Sequence, residues 1–242
     1  SEESESVYYE TINQSGMTAD ALSLMSKNEF KIAYSDALDK PSYTKSKNEL
    51  ETFDYGVSFS PMGVTVPKHI SDNIDTYDRF IIPTKKVESA NILHLLKQCR
   101  ETVIASVTEG FLYSTMEKDL REHLVANGML KAVISLPSGI WTGTAVKTSL
   151  LIIEPNGHNQ SVRFVDVTGE EFIKKTTKRL LSLRNIDTIL EYLASNEQLD
   201  SAISIPVFAI QENDYHLNIG RYLLDPEEKT VDKILSESTT TT

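Results

Sequence analysis

The sequence has one cysteine, Cys99, one tryptophan, and no apolar run approaching the length of a membrane-spanning helix. A single cysteine excludes an internal disulfide and a cysteine-based metal cluster. No pair of histidines stands at metal-ligand spacing, so no metal site is expected. No signal peptide is visible and no segment reads as a membrane span, which points to a cytoplasmic protein. Positive charge is scarce too: 24 Lys and Arg stand against 35 Asp and Glu, a formal net charge of −11. Phosphate neutralisation dominates non-specific DNA affinity, so a chain this acidic is a poor DNA binder on its own. A role on DNA calls for a local basic patch or a partner. The densest basic cluster is Lys174, Lys175, Lys178, Arg179 and Arg184. It is either phosphate-facing or a solvated helix face.

What is present reads as an α/β chain. Its 242 residues are 40% hydrophobic, ordinary for a globular protein. The most informative stretch runs from Glu101 to Glu154. Thr102 to Val107 is β-branched and apolar and predicts a buried strand. Met116, Leu120, Leu124 and Val125 recur at helical spacing, with Gly128 where a helix C-cap belongs. Leu130 to Leu136 and Thr148 to Ile153 predict two more strands, with the loop Trp141 to Lys147 between them. Upstream, Val7 to Tyr9 predicts a strand ended by Glu10. A helix follows from Thr18, then a strand from Lys31 to Ser35, followed by Asp36. Residues 39–51 form a polar connection, and Phe53 to Ser58 is a further strand. This alternation predicts a parallel α/β topology. Cys99 is expected on a helix as a buried thiol. Downstream, Val162 to Val167 and Ala202 to Val207 predict strands, and Ile186 to Leu193 an amphipathic helix. The sequence has no internal repeats.

Two motifs carry a resemblance. Ala132-Val133-Ile134, Leu136-Pro137, Gly143-Thr144 and Thr148 to Ile152 follow an "AVI-x-LP…F-x-GT…T-x-ILV" order and spacing. The run Glu212 to Tyr222, ENDYHLNIGRY, resembles "I-x-x-NDY-x-LN-x-x-RY". Both resemble the modification subunits of type I restriction–modification systems, which are DNA adenine-N6 methyltransferases. The resemblance covers roughly residues 80–225. It implies a Rossmann-like class I methyltransferase sheet, S-adenosylmethionine as cofactor, and DNA reached through a separate specificity subunit.

The resemblance assigns roles to particular residues. Glu10 would bind the cofactor ribose and Asp36 would also contact the cofactor, with Asn13, Leu22 and Met25 in the surrounding pattern. The plain alternative for each carboxylate is a surface acid at a strand end. The family's glycine-rich loop precedes the first acid, and only nine residues precede Glu10, so the sheet is expected to lack its first strand and that loop. The catalytic tetrapeptide Asn/Asp-Pro-Pro-Phe/Tyr falls on Phe59, Ser60, Pro61 and Met62. Phe59 has no side-chain acceptor for an adenine amino group, and Met62 has no ring to stack on the base. In Asp78-Arg79-Phe80, Arg79 would position a loop or a phosphate, or form an ordinary surface ion pair. His94 reads as a packed helix histidine. Trp141 either closes the core edge or meets DNA or a partner.

The expected organisation is a partial methyltransferase core over residues 1–160, an extension over 161–228 carrying the NDYHLNIGRY motif, and a disordered Ser/Thr-rich tail over 229–242. Two functions are compatible with these residues. One is a modification subunit whose catalysis is compromised at the tetrapeptide. The other is a non-catalytic module that assembles with another subunit, a second copy, or a DNA-bound complex. A small-molecule or RNA methyltransferase fits the C-terminal motif less well.

Overall fold

The computed structural model describes residues 6–12, 29–71, 75–141, 145–176 and 181–222. The expected helix from Thr18, the C-terminal tail, and Asn13, Leu22, Met25, Gly143, Thr144, Lys178 and Arg179 lie outside them.

In chain order the elements are β1 (Ser6–Thr11), β2 (Glu29–Tyr34), β3 (Thr44–Ser46), β4 (Glu49–Leu50), β5 (Phe53–Ser58), the short α1 (Lys68–Ser71) and α2 (Val87–Gln98). Then come β6 (Cys99–Thr108), α3 (Lys118–Ala126), β7 (Leu130–Ser135), β8 (Thr148–Ile153) and β9 (Ser161–Asp166). The last are β10 (Ile173–Lys175), β11 (Leu181–Leu183), α4 (Ile186–Ala194), β12 (Ala202–Pro206) and α5 (Val207–Glu212).

Six strands form one sheet in the order β12-β9-β7-β8-β6-β5. β5 runs parallel to β6, and β7 parallel to β9, while β8 is antiparallel to both β6 and β7. The sheet is therefore mixed rather than all-parallel, within the α/β class expected. Its central strands are apolar on both faces because both faces are covered. Val103, Ala105 and Val107 of β6 bury together with Leu151 and Ile153 of β8 and with Leu120 and Leu124 of α3. On the other face Ile134, Val165 and Ile189 meet.

The helix α3 ends as its sequence predicts. Gly128 takes φ +67, its N–H bonds to the Val125 carbonyl, and the Met129 N–H reaches back to the Leu124 carbonyl. This pair of bonds is the Schellman closure that favours glycine. A Cβ at Gly128 would also stand 2.9 Å from the backbone nitrogen of Asn159.

Several expectations change. Cys99 opens β6 instead of lying in the helix, buried against the core. Met116 sits in a 3₁₀ turn ahead of α3 and is 53% exposed, so helical spacing alone misplaced it. Residues 39–51 hold the hairpin β3–β4, and α5 follows β12. The sheet does not break at residue 160: β9 and β12 extend it, and Tyr215, Leu217 and Ile219 bury in the main core. β1 and β2 form a separate parallel pair. It is tied to β5 through Tyr8, whose ring lies 4.7 Å from Phe53 and 5.1 Å from Tyr43.

Candidate functional site

β5, β6, β7 and β9 all end at the same edge of the sheet, where β8 begins. Open α/β sheets bind ligands beyond the carboxyl ends of their strands. The turn Phe59 to Gly63 leaves β5 at this edge. Its backbone is set by Gly63 at φ +69 and by the Lys86 ammonium, which donates to the Gly63 carbonyl at 2.9 Å. Ser60 points inward, where its hydroxyl accepts from Asn91 Nδ2 of α2 at 2.9 Å and shares a bond with the Ser58 hydroxyl at 2.9 Å. Phe59 points outward and is 62% exposed. Its ring meets that of Trp141, centroids 5.4 Å apart and planes tilted by 57°. Trp141 is held in turn by its indole N–H, which donates to Thr148 Oγ1 at 2.7 Å at the start of β8. Trp141 thus packs at the core edge, the first of its two readings, with its ring beside the turn.

Glu10 and Asp36 stand at the ends of β1 and β2. Glu10 Oε1 accepts from the Ser35 hydroxyl and from the Ser42 N–H, the latter at 2.8 Å. Asp36 Oδ1 accepts the Leu38 N–H at 3.0 Å, closing its own turn. Burial, and after it the Glu10 charge, push the Tyr43 phenol up. Both carboxylates therefore hold the loop that follows β2. Among the described residues no hydrogen bond or ring contact joins either of them to Phe59–Met62.

The link between the two groups runs through Arg79. It is buried, so the surface-ion-pair reading is corrected. Its guanidinium donates to the carbonyls of Ala37 at 2.7 Å and Leu38 at 2.9 Å, directly after Asp36. It also pairs with Asp75 at 2.8 Å and meets His94 Nδ1 of α2 at 3.2 Å. From α2, Asn91 reaches the Ser60 hydroxyl. Arg79 thus positions the loop, the first of the two roles expected of it. His94 is packed, as expected, and burial followed by the Arg79 charge lowers its pKa to about 4.

Sequence reasoning missed the buried acids. Glu88 accepts the Thr108 hydroxyl at 2.8 Å and the Thr108 N–H at 3.2 Å, fixing α2 to the end of β6. Glu117 accepts from Ser89, and burial pushes its carboxyl pKa up. A Glu on a helix reads as solvated, and only the buried Ser89 beside it marks it otherwise. Lys174, Lys175 and Arg184 of the basic cluster are exposed, and Arg184 donates to the carbonyls of Glu170 and Glu171 at 2.8 Å each. No group of three or more His, Cys, Asp or Glu side chains among the described residues could hold a metal, and no helix among them is long and apolar enough to cross a membrane.

Comparison with known proteins decides the family. The model of the N-6 DNA methylase family matches residues 17–231. The chain belongs to this family. It is 28% identical over 196 residues to the type I restriction enzyme MpnII methylase subunit of Mycoplasma pneumoniae, which covers 77% of this chain and 36% of that protein. It is 23% identical over 217 residues to the MjaVII methylase subunit of Methanocaldococcus jannaschii, covering 83% and 37%. The chain thus spans little more than a third of the length of these curated relatives. Among solved structures, the type I methyltransferase subunit from Streptococcus thermophilus superposes with a TM-score of 0.72 at 21% identity, covering 91% of this chain and 54% of that one. A modification subunit of a putative type I restriction enzyme from Vibrio vulnificus gives 0.68 at 17% identity, covering 86% and 44%. The methyltransferase fold inferred from the family motifs is the fold observed.

Proposed function

We propose that this chain is a type I modification-subunit-like module that offers an aromatic platform to an extruded DNA base and does not itself transfer methyl to adenine. One observation carries the reading. At the position where the family places an amide or carboxylate acceptor, Phe59 turns an exposed ring toward Trp141. Such rings can stack on a base taken out of the duplex, but neither accepts a hydrogen bond from its N6 amino group. That amino group is a weak nucleophile because its lone pair is delocalised into the ring. Losing an acceptor that acts in the transition state costs on the order of 3 kcal/mol, about a hundredfold in rate. Ser60 supplies no substitute, because Asn91 and Ser58 hold its hydroxyl inward.

S-adenosylmethionine is the cofactor the family implies. Glu10 Oε1 and Asp36 Oδ1 already accept bonds from Ser35, Ser42 and Leu38, which leaves one oxygen of each carboxylate to meet it. On the reading proposed, the chain alone binds it weakly. A net charge of −11 leaves most phosphate contacts to a partner of other composition, here a specificity subunit, since a second copy of the chain would carry the same charge. A second reading, an adenine-N6 methyltransferase active as it stands, draws on Pro61 and on the left-handed Gly63, the two residues that match the family's motif at this turn.

Tritiated methyl transfer to unmethylated DNA, with and without a specificity subunit, separates the two. The expected result is no transfer above background, together with a fluorescence rise from 2-aminopurine DNA as the base leaves the stack. Turnover that disappears in Asp36→Ala would overturn the proposal. Calorimetry tests the cofactor part: low-micromolar affinity, roughly 8 kcal/mol of binding free energy, contradicts it.

A further inference from the structure

A cavity of about 670 Å³ lies between the chain segment that follows the β5 turn and the 3₁₀ turn before α3. Val66, Ile70, Phe80, Ile82 and Met116 give it a mostly apolar wall. Its size falls within the range of small-molecule sites. The wall is braced from behind. Leu38, Val66, Ile70 and Ala90 form a small core of their own, with Phe80 packed against it. The Phe80 ring also lies 4.7 Å from the guanidinium carbon of Arg79, which is anchored on Asp75 and two backbone carbonyls.

Two charged residues line the cavity, and their states differ. Asp75 is spent: it accepts from Arg79 Nε at 2.9 Å, from Nη2 at 2.8 Å and from the Arg79 backbone N–H. Burial would raise the Asp75 carboxyl, but these bonds outweigh it and hold it low. Lys85 is exposed and makes no ion pair among the described residues. The cavity is thus an apolar chamber with one uncompensated cation. A buried apolar wall favours an apolar body, and a free ammonium on its exposed side favours one negative charge.

We infer that this cavity binds a small organic anion with an apolar body, its carboxylate or sulfonate at Lys85 and its body between Ile70, Phe80 and Met116. The occupant is a small molecule, because the volume and the mostly apolar lining are those of a small-molecule site. The site is separate from the Phe59–Trp141 platform and does not depend on the function proposed for it.

The probe is 8-anilinonaphthalene-1-sulfonate, titrated by fluorescence against the folded chain, with its neutral analogue N-phenyl-1-naphthylamine in parallel and decanoate as competitor. One saturable site is expected, from which decanoate displaces the sulfonate. Lys85→Glu, at an exposed position, should weaken the sulfonate at least about fivefold and leave the neutral analogue within about twofold, as one ion pair predicts. Met116→Trp, at a half-exposed lining position, narrows the cavity and should weaken both probes to a similar extent. Near-UV circular dichroism confirms that each variant stays folded. The inference is overturned by non-saturable binding, by failure of decanoate to compete, by a sulfonate affinity that Lys85→Glu leaves unchanged, or by affinities for both probes that a folded Met116→Trp leaves unchanged.

Discussion

The closing segment Asn213–Tyr222 and the turn Phe59–Gly63 both stood out in the sequence as family motifs, and the fold treats them in opposite ways. In the closing segment nearly every motif residue is spent on structure. The Tyr215 carbonyl accepts Arg121 Nε at 2.8 Å, and the Leu217 N–H donates to the Leu112 carbonyl at 2.8 Å. Asn218 Oδ1 caps the Gly220 N–H at 2.9 Å, and the Tyr222 hydroxyl donates to the His216 carbonyl at 2.6 Å. In the turn, Ser60 is tied inward while Phe59 faces out against the ring of Trp141. A motif is thus specific for two different reasons. The first kind spells out a set of interlocking bonds, and the second presents a surface. Four perturbations sharpen or break that contrast.

The largest effect should come from Arg121, which is 0% exposed. It donates to three carbonyls, those of Tyr215, Phe111 and Ser114, at 2.7–2.8 Å. Arg121→Ala leaves all three without their donor, a loss of about 3–5 kcal/mol by the cost of stripping one partner from a buried charged contact. The thermal unfolding midpoint should fall by about 6–20 °C in a chain of this size. A change near zero would mean the closing segment is held by apolar packing alone.

Next comes acid. His94 is buried neutral, with a pKa lowered to about 4 from an ordinary 6.5, by burial and then by the Arg79 charge. Between those two values the unfolded chain binds the proton and the folded chain does not. Stability is therefore fully present above about pH 6.5 and is lost as pH falls toward 4, by roughly 3 kcal/mol in all. Urea denaturation across that window, compared with His94→Gln, isolates the contribution. Equal slopes in the two proteins would show that the Arg79–His94 brace behind the turn does not titrate in this way.

A smaller effect is expected beneath the turn itself. A Cβ on Gly56 of β5 would stand 2.4 Å from Cys99 Sγ and 3.2 Å from Leu95 Cδ2. Gly56→Ala should cost about 1–3 kcal/mol as overpacking. Pairing it with Cys99→Ala should recover part of that cost, giving a coupling of about 1 kcal/mol in a double-mutant cycle. Strict additivity would place the strain elsewhere.

These contrasts also explain what could be read from the sequence. β7 and β8 were legible because apolar runs with β-branched residues, bounded by turn residues, have few alternatives. The closing segment was legible because its bonds demand particular residue types. Arg79 and Glu117 were misjudged or missed because single-residue statistics place charged side chains in water, and only tertiary partners such as Asp75, Ala37 and Ser89 reverse that. The antiparallel β8 was not foreseen, since strand direction depends on how a connection turns and leaves no periodic mark. Glu10 and Asp36 were picked by likeness. The loop-holding bonds they make, to Ser35, Ser42 and Leu38, cannot be seen without the fold that brings β1 and β2 side by side.

The smallest effect on stability should come from Phe59, and for that reason it tests the contrast most directly. Its ring is largely in solvent and, among the described residues, meets the ring of Trp141. Phe59→Ala should change stability by no more than about 0.5 kcal/mol, as surface substitutions do. If the ring is a platform for a base, the same change should weaken binding of a 2-aminopurine single strand by about 1–3 kcal/mol, the usual worth of one stacked base. Phe59→Tyr should restore most of that affinity, because stacking needs a ring and not a particular substituent. The two readouts must part company for the turn to be a presenting motif. A variant that loses stability and binding in proportion would place Phe59 with Tyr215 and Leu217 as a residue that builds the fold, and the aromatic platform would have to be sought at Trp141 alone.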